Sequence, residues 1–177
     1  DYFEMIMLMK RAKIFQNDRF QSINYANKRR SSMKIYLKRT NQAVRFEATN
    51  ERGHTVSIEG SKDIGGEDSA PSPTELLLMS QAGCTAIDVV ELLRKMRQPL
   101  EHLEIETEGF RAQDQVPKVF THIHLHYKLY GNIQPAKAEK AISMSIEKYC
   151  TVSKMIDQVA KLTHSFEVII PDNPESL

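Results

Sequence analysis

The amino-acid sequence predicts an α+β fold, with antiparallel sheets around long central helices in the order βββ-α-ββ-α(α)-β. Two observations carry this prediction. Six short stretches have the alternation or the β-branched and aromatic content of strands, and one helix, apolar around most of its circumference, occupies residues 72–97. A helix apolar on nearly every side is buried, in its own domain or against a partner, and the strands must wrap it.

The strands begin at Met33. "MKIYLKR" (33–39) and "QAVRFEATN" (42–50) alternate apolar and charged residues, and "HTVSIEG" (54–60) closes a three-strand meander, with Gly53 in the intervening turn. "GSKDIGGEDSAPSP" (60–73) is loop by composition. Ser72 and Pro73 then start the long helix, a capping hydroxyl followed by a ring whose fixed φ suits the first turn. The helix stops before Pro99. "LEHLEIETEGF" (100–110) and "KVFTHIHLHYKLYG" (118–131) form a hairpin. Pro135 opens a second helix, "PAKAEKAISMSIEKYC", and "TVSKMIDQVAKL" either continues it or forms a third. "HSFEVII" is the last strand.

The 177 residues suit one domain over 33–171, with an N-terminal extension at 1–32 and a tail at 172–177. The extension has no sustained period, and its apolar patch at 6–9 would dock on the domain or on a partner subunit. Hydrophobic residues at 41% and charged residues at 27% are ordinary for a globular protein. The net charge of +1 is uneven: 1–32 hold seven basic against three acidic residues, which leaves the body slightly acidic. With no tryptophan and no basic stripe among aromatics, the body is not expected to bind nucleic acid. "NKRRSS" (27–32) reads as a solvated linker. No uninterrupted apolar run reaches eighteen residues, so no membrane span is expected. With two cysteines and no secretory pattern, reduced thiols in the cytoplasm are the expectation.

Cys84 and Cys150 are the chemical candidates. Cys84 lies well inside the long helix, with Ser80, Ile87, Asp88 and Glu91 as its helical neighbours. Taken alone it reads as a buried structural cysteine. Cys150 lies where the second helix ends or breaks. Two helices crossing at these positions would bring the sulfurs into bonding range, although 66 residues of separation exclude a CxxC motif. Activating such a thiol requires a cation from elsewhere in the fold. Arg45 is the first candidate, with Arg39 and Arg52 as rivals; otherwise Arg45 is an exposed strand residue. His122, His124 and His126 share one strand face, which reads as a polar face rather than a metal site. Gly65-Gly66 lacks the context of a nucleotide loop, so neither cofactor nor metal is expected.

"SPTELLLMSQAGCTAIDVV" (72–90), "EKYCTV" (147–152) and "THSFEV" (163–168) together resemble the OsmC/Ohr family of thiol-dependent peroxidases, over roughly 33–170. The resemblance implies an intertwined homodimer with two long helices at its centre and active sites at the subunit interface. It also implies that Cys84 attacks an organic hydroperoxide and that its sulfenic acid condenses with Cys150. A dithiol, in the family often a lipoyl group, would reduce the resulting disulfide. The family's activating glutamate follows the helix proline directly. Here Thr74 holds that position and Glu75 comes next, turned by about 100° around the helix. Arg45 is the approximate match to the family arginine. Two other readings stand beside the peroxidase: another thiol redox or sulfur-transfer role, and a non-peroxidatic dimer binding a small apolar ligand.

Overall fold

The computed structural model describes residues 32–171. The extension and tail expected at the two ends lie, residue 32 apart, outside the described residues. The chain divides into two compact units, the described parts of which are 32–38 with 47–56, and 39–46 with 57–171.

Strands β1 (Ile35–Arg39), β2 (Arg45–Asn50) and β3 (Thr55–Glu59) form a three-stranded sheet in sequence order. In the smaller unit the turn after β2 is shaped by Asn50, whose Oδ1 accepts the backbone N–H groups of Arg52 and His54. Gly53 there adopts φ +85°, a conformation that costs glycine little. In the larger unit, the Asn41 side chain similarly accepts the N–H groups of Ala43 and Arg45 ahead of β2.

The rest of the larger unit holds the core. Helix α1 (Pro73–Lys95) is followed by β4 (His102–Arg111), β5 (Phe120–Tyr130), α2 (Pro135–Met144), a π-helical turn at Ser145–Tyr149, α3 (Thr151–Ile156) and β6 (Lys161–Ile169). This is the predicted order, with α2 and α3 separate helices. α1 ends two residues before the expected limit because Arg97 turns left-handed at φ +55°, and the Gln98 N–H bonds back to the Leu93 carbonyl.

β4, β5 and β6 form the second sheet. The expected antiparallel pairing holds for β4 with β5 and fails at one strand: β6 pairs parallel to β5. The connection from Tyr130 to Lys161 carries both helices, long enough for the crossover that parallel pairing demands. Ile123, Leu125, Tyr127 and Leu129 point inward from β5 and are fully buried, against Val89 and Leu93 of α1 and Ala138, Ala141 and Ile142 of α2 in one apolar cluster. By length and composition α1 could also cross a membrane, a test that core helices pass equally.

The outer face of β5 carries the three histidines, and the structure gives that face an order that alternation alone does not show. His122 Nε2 and His124 Nδ1 lie 2.7 and 2.8 Å from the Thr163 hydroxyl. His124 Nε2 and His126 Nδ1 lie 2.9 and 2.8 Å from the Ser165 hydroxyl. His126 Nε2 reaches the Glu167 carboxylate at 3.5 Å. Each hydroxyl has one proton, so a chain ending on a carboxylate closes when every imidazole donates from Nε2 and accepts at Nδ1. Phe110 stacks on His122 with ring centroids 5.3 Å apart. Thr163→Val removes both bridges at one hydroxyl while retaining a β-branched side chain. We expect it to cost about 1–2 kcal/mol, read as a lower denaturant midpoint at unchanged m-value.

Candidate active site

α1 is started by a complete capping box. Ser72 Oγ accepts the Glu75 N–H at 3.3 Å, and the Glu75 carboxylate accepts the Ser72 N–H at 2.6 Å. The Ser72 side chain and then its backbone N–H hold the Glu75 carboxyl below its ordinary value, against a smaller opposing effect of burial. Because the folded group is depressed, its contribution is present above the unfolded value and is lost as pH falls through the folded one. Ser72→Ala should destabilise the fold by about 1 kcal/mol, with the deficit shrinking in acid as Glu75 protonates. A deficit that stays constant down to acid unfolding would show that the Ser72 hydroxyl stabilises the fold independently of the charge on Glu75.

Three turns further on, α1 presents Cys84, and Asp88 follows it one turn later. Cys150 comes from the junction of the π-turn with α3. The Cys150 N–H reaches back five residues to the Ser145 carbonyl at 2.8 Å. Its backbone then leaves the helical region (φ −69°, ψ 111°) and becomes the N-cap of α3, with Sγ accepting the Ser153 N–H at 3.3 Å. π-turns inside helices often mark functional positions. Here the turn directs a fully buried thiol toward α1. The sulfurs of Cys84 and Cys150 and a carboxylate oxygen of Asp88 all lie within 4.8 Å of one another, and both cysteines are free.

Polar groups lie around this trio, beside the apolar core. Ser145 Oγ donates to Asp88 at 3.0 Å, and Gln81 Nε2 donates to Ser153 Oγ at 2.8 Å. Thr85 bonds back to the carbonyls of Gln81 and Ala82. Burial pushes the Tyr127 phenol up to about 12, with Thr85 opposing that rise and the charges of Cys150 and Asp88 adding to it. Burial also pushes the Cys84 thiol up, reinforced by its hydrogen bond with Cys150 and by repulsion from Cys150 and Asp88. A backbone hydrogen bond at Val152 acts the other way. Within one chain, Cys84 is therefore held as a thiol.

The other two expected site residues are placed elsewhere. Glu75 completes the cap. Arg45 Nη1 donates to Ser69 Oγ at 2.8 Å. Ser69 in turn donates through its backbone N–H, at 2.7 Å, to the buried Glu59 carboxylate. Hydrogen bonds from Ser69, first among several influences, hold Glu59 below its ordinary value. Arg39 bonds to the carbonyls of Ala43 and Gln42. The structure thus brings together the cysteine pair, while Arg45 and Glu75 each serve a neighbouring serine. Asp88 was visible as the i+4 neighbour of Cys84. Tyr127 and Ser145 had no sequence signal as site residues, since their proximity arises from the β5 register and the π-turn, whereas Gln81 is a helical neighbour of Cys84 whose bond to Ser153 only the fold reveals.

A cavity of about 270 Å³ opens on another side of α1, lined by Glu75, Leu78, Met79, Ala82, Ile105 and Thr107. Thr107 Oγ1 is buried there without a partner among the described residues. A larger hollow of about 430 Å³ near α3 and β6 includes Glu147, Lys154, Asp157 and His164. Neither is lined by Cys84 or Cys150.

The site and fold together define a small α+β protein with a paired, partly buried dithiol between helices. The family model for OsmC-like proteins matches residues 66–165. Protein YhfA of Escherichia coli (strain K12) is 36% identical over 129 residues, 72% of this chain and 92% of that protein. The chain belongs to the OsmC-like family. A hypothetical protein from Aquifex aeolicus superposes with a TM-score of 0.69 at 27% identity, covering 81% of this chain and all of that one. An organic hydroperoxide resistance protein OsmC from Legionella pneumophila superposes at 0.63 over 80% of this chain and all of its own. Its 17% identity makes that likeness one of fold.

Proposed function

We propose that the chain acts in thiol redox chemistry as a homodimeric, cytoplasmic peroxidase for organic hydroperoxides. The observation that carries this reading is the convergence of Cys84 and Cys150 from separate helices in an OsmC-like chain. The Cys84 thiolate attacks the outer oxygen of the hydroperoxide. The O–O bond breaks, the alcohol leaves with a proton, and Cys84 becomes a sulfenic acid. The Cys150 thiol displaces water from it to give the disulfide, which a dithiol such as a lipoyl group reduces by exchange.

Because Cys84 is held as a thiol within one chain, the reading requires activation. Arg45 and Glu75 are the proposed activating pair, and Arg45→Ala tests that part directly. Loss of one electrostatic partner typically lowers kcat by about 10²–10³. An unchanged rate would restrict Arg45 to its bond with Ser69. The primary test is steady-state reduction of cumene hydroperoxide by the purified protein with excess dithiol. Turnover above the protein-free rate supports the proposal. A folded protein with no turnover would make Thr74, at the glutamate position, decisive against it.

The second reading, binding of a small apolar ligand, is favoured by the cavity beside Leu78, Met79, Ala82 and Ile105. It needs no activated thiol, and ligand binding there would survive replacement of Cys84.

A further inference from the structure

We propose that the reduced Cys84–Asp88–Cys150 cluster binds one divalent transition ion of the zinc class, through two thiolates and a carboxylate oxygen. The three donor atoms already lie within 4.8 Å of one another. Zinc bonds of about 2.3 Å to sulfur and 2.0–2.2 Å to oxygen put tetrahedral donors about 3.5–3.8 Å apart. The cluster therefore closes on an ion by a contraction of about 1 Å, within the reach of side-chain rotation.

The chain holds each donor in place beforehand. Cys84 and Asp88 are one helical turn apart on α1, so both face the same side. Asp88 accepts the Ser145 hydroxyl at 3.0 Å, the kind of outer hydrogen bond that orients a metal-binding carboxylate. Cys150 is fixed by the Ser153 N–H at 3.3 Å. Two soft sulfurs and one oxygen suit zinc better than magnesium or calcium, which prefer oxygen throughout. With three protein donors, the fourth position stays open to water.

Binding exchanges two thiol protons for two metal–sulfur bonds, with no change of oxidation state. A Cys84–Cys150 disulfide consumes both sulfur donors, so ion and disulfide exclude each other. The site would hold metal only when reduced and release it on oxidation. None of this depends on peroxidase activity.

The test is titration of reduced, chelator-treated full chain with cobalt(II), followed by displacement with zinc. We expect one cobalt per chain, with the thiolate charge-transfer and intense visible bands of a tetrahedral site. Binding should weaken about 10-fold in Ser145→Ala and about 100-fold in Asp88→Asn, and vanish after oxidation to the disulfide. Cobalt spectra lacking thiolate bands, or Asp88→Asn binding as tightly as wild type, would overturn the site. Cumene hydroperoxide turnover by the metal-free protein is measured in parallel. Turnover without metal binding removes this inference alone, and metal binding without turnover removes the peroxidase reading alone.

Discussion

Cys84→Ser is expected to bring dithiol-dependent hydroperoxide reduction down to the protein-free rate, a loss of at least about 10³-fold in kcat/KM, or about 4 kcal/mol of transition-state stabilisation. A serine hydroxyl does not ionise near neutral pH and cannot take the place of a thiolate nucleophile. Cys150→Ser should behave differently. The first oxidation of Cys84 proceeds, one equivalent of hydroperoxide is consumed per chain, and multiple turnover stops for want of a disulfide. The pH profile adds a second signature. Burial, Cys150 and Asp88 all push the Cys84 thiol above its ordinary value, so the thiolate fraction and kcat/KM rise with pH through the neutral range. Asp88→Asn removes one of the repelling charges and should move that rising limb to lower pH. A Cys84→Ser protein that still turns over would rule out Cys84 as the nucleophile, whereas a wild-type profile flat through the neutral range would show its thiolate already formed there, as activation by Arg45 and Glu75 requires.

The strand and helix order was legible because each element had its own local signal. Alternation marked the six strands, and Ser72-Pro73 marked the start of α1. The parallel pairing of β6 was not legible, since "HSFEVII" alternates identically in either direction and only the crossover decides. The cysteine pair was partly legible: the helix break at Cys150 showed as a β-branched pair after "EKY". Its cause did not show, because a π-turn differs from an α-turn by one hydrogen-bond step without a residue signature. Arg45 illustrates the limit of strand reasoning. Alternation gives the face it occupies, but its bond to Ser69 depends on how the long loop after β3 folds back to bring Ser69 to Glu59. The histidines were placed correctly on one face, while the hydroxyl bridges required the register with β6.

Ile87→Asp should convert the proposed dimer into monomers. α1 is apolar almost all round, yet within one chain it leaves Met79, Ile87 and Val90 at 55%, 69% and 42% exposure. With Gly83 these residues share one face at helical spacing. Gly83 is the telling member of the group. A Cβ at that position would meet nothing within 4 Å among the described residues, and a glycine inside a helix costs about 1 kcal/mol relative to alanine. Among the described residues nothing offsets that cost, whereas a second α1 crossing closely at Gly83 would. In a two-fold interface each substitution is counted twice. An unpaired aspartate buried on each side, at about 3 kcal/mol per copy, would weaken dimerisation by about 10⁴-fold. Sedimentation equilibrium reads this directly, with far-UV circular dichroism confirming that the chain remains folded. Gly83→Leu should act in the same direction by blocking close approach, although a Cβ at that position meets nothing within 4 Å among the described residues. If both variants sediment as the wild type does, this face of α1 is not where the two copies meet.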